Sequence, residues 1–459
     1  MIQFKAALPA ALPKAEAAER LKFFLRHFAF SDVYKIPQSS ILTGSRRETA
    51  LLPQFTEENM DRYTELLETQ ADMLSPDNDD YEAKLLEAAA SFRNISESLS
   101  AFISEYGYSG NENDSKSKTA FIRKKFADEG IPVPRNIAEW FTSDKRIERN
   151  TAFQICFAFR LNVKQTDDFF RRVYLSRSFD CHSIKETVYY FCINNKLAYS
   201  DAESLIKQLP DDEKGRIDDT DILYTGGIVE KVRSFTAKEE LIDYIRENIS
   251  HFGYNNATAT KYIREIWKKI SAVNGIAYKE GRLIESAYLL SPEDRYAVVD
   301  KGSDSLWNIY SQILGLDNYQ VTKIYTGRSI KSALVNNKLL PPLAEAAFPD
   351  RDGINKILNG VHVSNERIRK TMILLVFYAY WAEKIIENNN EFFRSSETDA
   401  ERCLYRLNKY LLDSGYPEMY AGNPYDWIFL WAIKDDYPLL TFRNYMGELF
   451  AVKSEQSEN

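Results

Sequence analysis

The chain has 459 residues, 44% hydrophobic and 27% charged, with a formal net charge of −8. Those values belong to an ordinary globular protein with room for two to four domains, and they exclude a chain disordered throughout. Only 18 glycines fit a helix-dominated chain, and 28 Tyr with 27 Phe allow sizeable cores.

Cys156, Cys181, Cys192 and Cys403 show no Cys-x-x-Cys spacing, so neither a zinc site nor a disulfide scaffold is expected, and no cofactor is indicated. Residues 1–21 lack a charged start followed by a long apolar run, so no secretory signal is expected. The longest apolar block, 372–382, is about a dozen residues, where a membrane span needs about 20. The cytoplasm is the expected compartment.

The pattern predicts an all-α, multi-helical fold in four regions: 1–115, 116–210, 211–300 and 301–459. In the first, 15–30 places Leu21, Phe24, Leu25 and Phe28 on one stripe, and 55–74 and 81–106 are two further amphipathic stretches. Such helices make a bundle or an interaction surface. The polar tract 109–117 reads as a linker.

The second region carries the one feature that points to a biochemical task. Residues 117–126 read as a helix, and Gly130-Ile131-Pro132-Val133-Pro134 as a turn into a short helix from Arg135. A basic loop, Lys145-Arg146-Ile147-Glu148-Arg149, leads to an apolar helix over 151–161. Ile137, Trp140 and Phe141 recur at helical spacing and should face the core, leaving Arg135, Asn136 and Glu139 outside. Arg suits guanine and Asn suits adenine in the major groove, because each can make a paired contact. From Lys116 to Arg177 there are fourteen Lys/Arg and seven Asp/Glu, so 14 − 7 = +7, and the rest of the chain carries −8 − 7 = −15. A basic island in an acidic chain is a candidate phosphate footprint, with Lys116, Lys118, Lys124, Lys145, Arg146 and Arg149 as the cations. The bland alternative is a solvated helical face.

The order of 119–130, 134–143 and 151–161, followed by Asn162-Val163-Lys164-Gln165-Thr166-Asp167-Asp168-Phe169-Phe170, resembles the lambda-repressor-like helix-turn-helix domain of bacterial and phage regulators. The likeness spans about sixty residues. It departs from the family in lacking Gln at the starts of the second and third helices. It implies a non-enzymatic transcriptional regulator that binds double-stranded DNA, as a homodimer on a two-fold site. The terminal helical regions would then dimerise or bind a protein partner. The competing reading is a helical interaction scaffold whose repressor-like folds touch no DNA.

Further along, 187–192 is β-prone locally but is expected to be buried helix between helical neighbours. Residues 210–221 read as an acidic loop, 238–249 and 258–273 as helices, and 291–294 as a helix start or turn. In the last region 343–348 reads as a helical piece, 353–360 as a short helix closed by Gly360, and Ser364 as opening an apolar helix over 368–381. Ile354, Ile357 and Leu358 repeat the spacing of Ile137, Trp140 and Phe141, which suggests a degenerate second helix-turn-helix-like unit kept for packing. From Pro341 to Lys370 there are five Lys/Arg and four Asp/Glu, too near neutrality to predict phosphate binding. Asn423-Pro424-Tyr425-Asp426 is a helix-start signal before a buried helix over 427–433, and 454–459 should fray.

There is no phosphate-binding Gly-x-x-x-x-Gly-Lys loop and no His-Glu-x-x-His. His27, His182, His251 and His362 are far apart. Cys181-His182 are neighbours, but adjacent residues on a helix seldom face each other. Pro76-Asp77 with Glu82-Ala83-Lys84 is spaced too tightly for a nuclease site and reads as a helix start.

Overall fold

The computed structural model describes residues 91–143, 145–210, 225–253, 256–287, 305–315, 347–391 and 393–450. Among them every regular element is helical. The stretches expected as helices at 15–30 and 55–74, the loop 211–221, the turn 291–294 and the tail 454–459 lie outside the described residues, as does most of 343–348.

Among the described residues, nine helices surround a first core that runs from Leu99 to Phe252. They are α1 (Ile95–Glu105), α2 (Ser115–Asp128), α3 (Glu139–Thr142), α4 (Arg149–Ala158), α5 (Val163–Phe169), α6 (Ile184–Asn194), α7 (Tyr199–Ile206), α8 (Thr225–Arg233) and α9 (Lys238–Glu247). A π turn, Phe170–Tyr174, extends α5. A second core runs from Ala259 to Met446. Around it stand α10 (Ala257–Ser271), α11 (Ile276–Ala287), α12 (Ser305–Leu314), α13 (Arg351–Leu358), α14 (Asn365–Asn388), α15 (Glu397–Asp413), α16 (Pro424–Lys434) and α17 (Pro438–Phe450). The cores meet between Phe252 and Ala259, so the helices expected as a connector belong to one core or the other.

Local signals account for many boundaries. Asn94 and Glu97 form a capping box at α1, and Asn162 with Gln165 forms another at α5. Ser364 caps α14, and Asn423 caps α16 with Pro424 in its first position. The tract 109–117 is shorter than expected as a linker, because Asp114 caps α2 and the helix starts at Ser115. The β-prone run at Thr187–Cys192 is helix, and all six residues are buried. Burial on every side outweighs β propensity, which is weak and depends on context.

A buried polar junction ties the cores together. The Arg177 guanidinium, with no solvent exposure, donates to Asn256 Oδ1 at 2.7 Å and pairs with Asp180 at 3.0 Å. It also lies under the Tyr416 ring, 5.0 Å from its centroid. The Tyr416 hydroxyl shares its one proton between Asn256 Oδ1 and the Asn365 carbonyl, and Asn256 Nδ2 donates to Asn365 Oδ1 at 2.7 Å. These groups bond one another away from water, with only the Arg177 Nε left without an acceptor, and the network ties the two cores together.

The two lobes share a spacing of buried residues and a pair of Arg–carboxylate clasps. Ile137 and Trp140 are buried with Phe141 half-buried, and Ile354 and Ile357 are buried with Leu358 half-buried. Arg149 opens α4 and clasps Glu186, the third residue of α6, through paired bonds of 2.6 and 2.7 Å. Arg369 near the start of α14 clasps Asp426, the third residue of α16, through paired bonds of 2.6 and 2.7 Å. Each carboxylate also accepts the backbone N–H six residues before it, from Asp180 in one lobe and Tyr420 in the other.

Candidate nucleic-acid interface

The candidate interface centres on α2. Its buried residues Lys118, Thr119, Ile122 and Phe126 fix the helix phase. Lys116, Arg123 and Lys124 therefore project to solvent, with Ala120 and Ala127 between them. Gly130, at φ +65°, ends the helix in the left-handed region. Ile131 then drops into the core, leaving Pro132 and Val133 exposed.

The short helix is smaller than expected. Residues 135–138 form a turn, and α3 is a single turn of four residues. The turn still presents the expected side chains. Arg135 is exposed, and among the described residues it makes no ion pair. Asn136 is half-buried, and its carbonyl accepts the Glu139 N–H at 3.0 Å. Glu139 is exposed and is held by Lys145 in a surface ion pair. That pair neutralises both groups, so the loop has less free charge than its sequence implies.

Two of the nine expected residues face inward. The Lys118 ammonium is buried, donates to Ser100 Oγ at 2.7 Å and lies 5.5 Å from the centre of the Phe141 ring. Arg149 bonds Glu186 and also donates to the carbonyls of Arg177 at 2.7 Å and Ser178 at 2.6 Å. With its donors committed internally, it locks α4 to α6 and is not a phosphate ligand in this structure. Arg146 is exposed, on the loop between these two roles.

The +7 island is thus only partly at the surface. Arg177 is buried, Arg160 pairs with Glu129, Arg171 with Asp168 and Arg172 with Glu105. Besides the paired Lys145 and Arg160, the exposed cations of the island are Lys116, Arg123, Lys124, Arg135, Arg146 and Lys164. Arg123 was missed by the sequence reading, although the phase set by Thr119, Ile122 and Phe126 would have found it. The N-terminus of α2 offers little to an anion. Asp114 accepts its first free N–H groups, from Lys116 at 3.0 Å and Ser117 at 3.2 Å. Phosphate contacts here would come from side chains.

The Cys181–His182 neighbours are buried, and burial pushes the thiol up and the imidazole down from their usual ranges. His182 Nδ1 engages the His251 carbonyl at 2.8 Å. A thiol held protonated in this way is a core residue rather than an activated nucleophile. Beside α5, a cleft of about 410 Å³ is lined by Lys164, Asp167, Tyr190 and Arg233, and burial pushes the Asp167 carboxyl up to about 6. No helix among the described residues is long and apolar enough to cross a membrane.

Comparison of the chain with protein-family models, curated proteins and solved structures finds no match.

Proposed function

We propose that this is a non-enzymatic protein that binds double-stranded DNA and regulates transcription, as the resemblance of 117–174 implies. The observation that carries the reading is the cationic set on α2 and its following turn. Lys116, Arg123 and Lys124 stand on an outward face, and the exposed Arg135 follows the turn. In this reading the lysines and Arg123 hold phosphates while Arg135 and Asn136 meet base edges. A homodimer would present two such faces to a two-fold site.

The test is equilibrium binding of the full chain to duplex DNA across a salt series. Affinity should fall steeply with salt, and removing Lys116, Arg123 and Lys124 together should flatten that slope by about 2 to 3, at about 0.9 per phosphate contact. Arg135→Ala should relax preference at one base pair by about 1–3 kcal/mol and leave general affinity in place. The scaffold reading draws support from the single-turn α3 and the Glu139–Lys145 pair. It takes over if duplex binding is undetectable at low salt while a protein partner co-purifies.

A further inference from the structure

In the second lobe, the counterpart of α2 ends 80 residues before α13 begins, 351 − 271 = 80. In α2 the buried Ile122 and Phe126 bracket Lys124-Lys125, and Gly130 follows at φ +65°. In α10 the buried Ile266 and Ile270 bracket Lys268-Lys269, and Asn274 follows at φ +60°. The same offset pairs the buried Thr119 with the buried Ile263. α10 packs against both α13 and α14. Arg264 fastens the arrangement, since its Nε donates to the Leu358 carbonyl at the end of α13 at 3.2 Å.

This changes the charge of the second unit. Residues 341–370 alone are nearly neutral, but the fold adds the outer face of α10, where Lys261, Lys268 and Lys269 are exposed, with Glu265 as the acid between them. Lys356 is exposed on α13. We infer that α10 and α13 form a second face for the phosphate backbone of duplex DNA, so that one chain carries two DNA-binding faces. The inference rests on the proposed function, since it assigns the same ligand to the second unit. Phosphates are the fitting ligand because these lysines stand on a solvent-facing flank opposite the buried Ile263, Ile266 and Ile270.

The experiment is the salt dependence of duplex binding by the full chain, in a DNA several helical turns long. Lys268→Ala, Lys269→Ala and Lys356→Ala combined should flatten the slope of log affinity against log salt by about 2 to 3. Replacing the same three by Arg should restore it. A control removing Lys185, Lys196 and Lys207, all exposed on or beside α6 and α7, should leave the slope within about 0.5 of the parent, since no phosphate contact is lost. A parental slope in the α10/α13 variant, with a flattened slope on removing Lys116, Arg123 and Lys124, overturns the second face and leaves the first. Equal flattening in the control also overturns it. Unaltered slopes in both face variants sink this inference and the proposed function together.

Discussion

The two lobes clasp the same kinds of helix with the same pair of charges, but at different depths. The Arg149 and Glu186 side chains keep 23% and 13% of their surface exposed, whereas Arg369 and Asp426 keep 3% and 0%. In the first lobe the guanidinium also holds two loop carbonyls, so its cation has partners besides the carboxylate. In the second, the carboxylate is the partner that compensates a charge removed from water. Equal geometry therefore carries unequal consequences, because breaking an ion pair costs what it costs to leave the survivor desolvated.

The largest expected effect follows from that contrast. Asp426→Ala should destabilise the protein by about 3–5 kcal/mol, as expected for breaking a buried pair. Glu186→Ala should cost less, about 1–3 kcal/mol, because Arg149 keeps its carbonyls and reaches water. Chemical denaturation of the two variants measures the difference, and equal losses would break the comparison.

A second contrast lies one residue on. Asn150 is exposed and accepts the Tyr189 hydroxyl at 2.9 Å, while Lys370 is buried 5.2 Å from the Tyr425 ring centre. Burial pulls the Lys370 ammonium down to about 8, with Glu366 opposing and Arg369 adding to the shift. The folded state then binds fewer protons than the unfolded chain between pH 8 and the ordinary lysine value of 10.5. Charging Lys370 therefore weakens the fold below about pH 8, and stability is regained as pH rises through that window. Lys370→Met removes the penalty. Its advantage over the parent should be about 2–3 kcal/mol at pH 7 and should shrink toward pH 10. Paired denaturation curves across this range check it, and a gap that stays constant with pH would refute the assignment.

The smallest effect sharpens the match of α2 to α10. A Cβ at Gly130 would meet no atom within 4 Å, so Gly130→Ala isolates the backbone strain and should cost about 1–2 kcal/mol. Asn274→Gly relieves the same kind of strain, and thermal melts should find it neutral or stabilising by up to about 1 kcal/mol.

Much of the fold was legible because its signals are local. Asn423-Pro424 marked the start of α16, Gly360 marked the end of α13, and the spacing of Ile137, Trp140 and Phe141 marked their inward face. The candidate interface was legible in part. Lys116, Lys124 and Arg135 stand outside as expected, while Lys118 and Arg149 turn inward toward Ser100 and Glu186. Their partners lie 18 and 37 residues away, beyond anything a helical period encodes.

By itself, then, the sequence determined an all-helical fold and many of its helix limits, since capping, left-handed termini and amphipathic spacing act within a few residues. Tertiary structure alone decided which cations remain at the surface, which enter the Arg177, Arg149 and Arg369 networks, and that α10 stands beside α13. Those outcomes depend on desolvation and on partners distant in the chain, and both are set only when the helices pack.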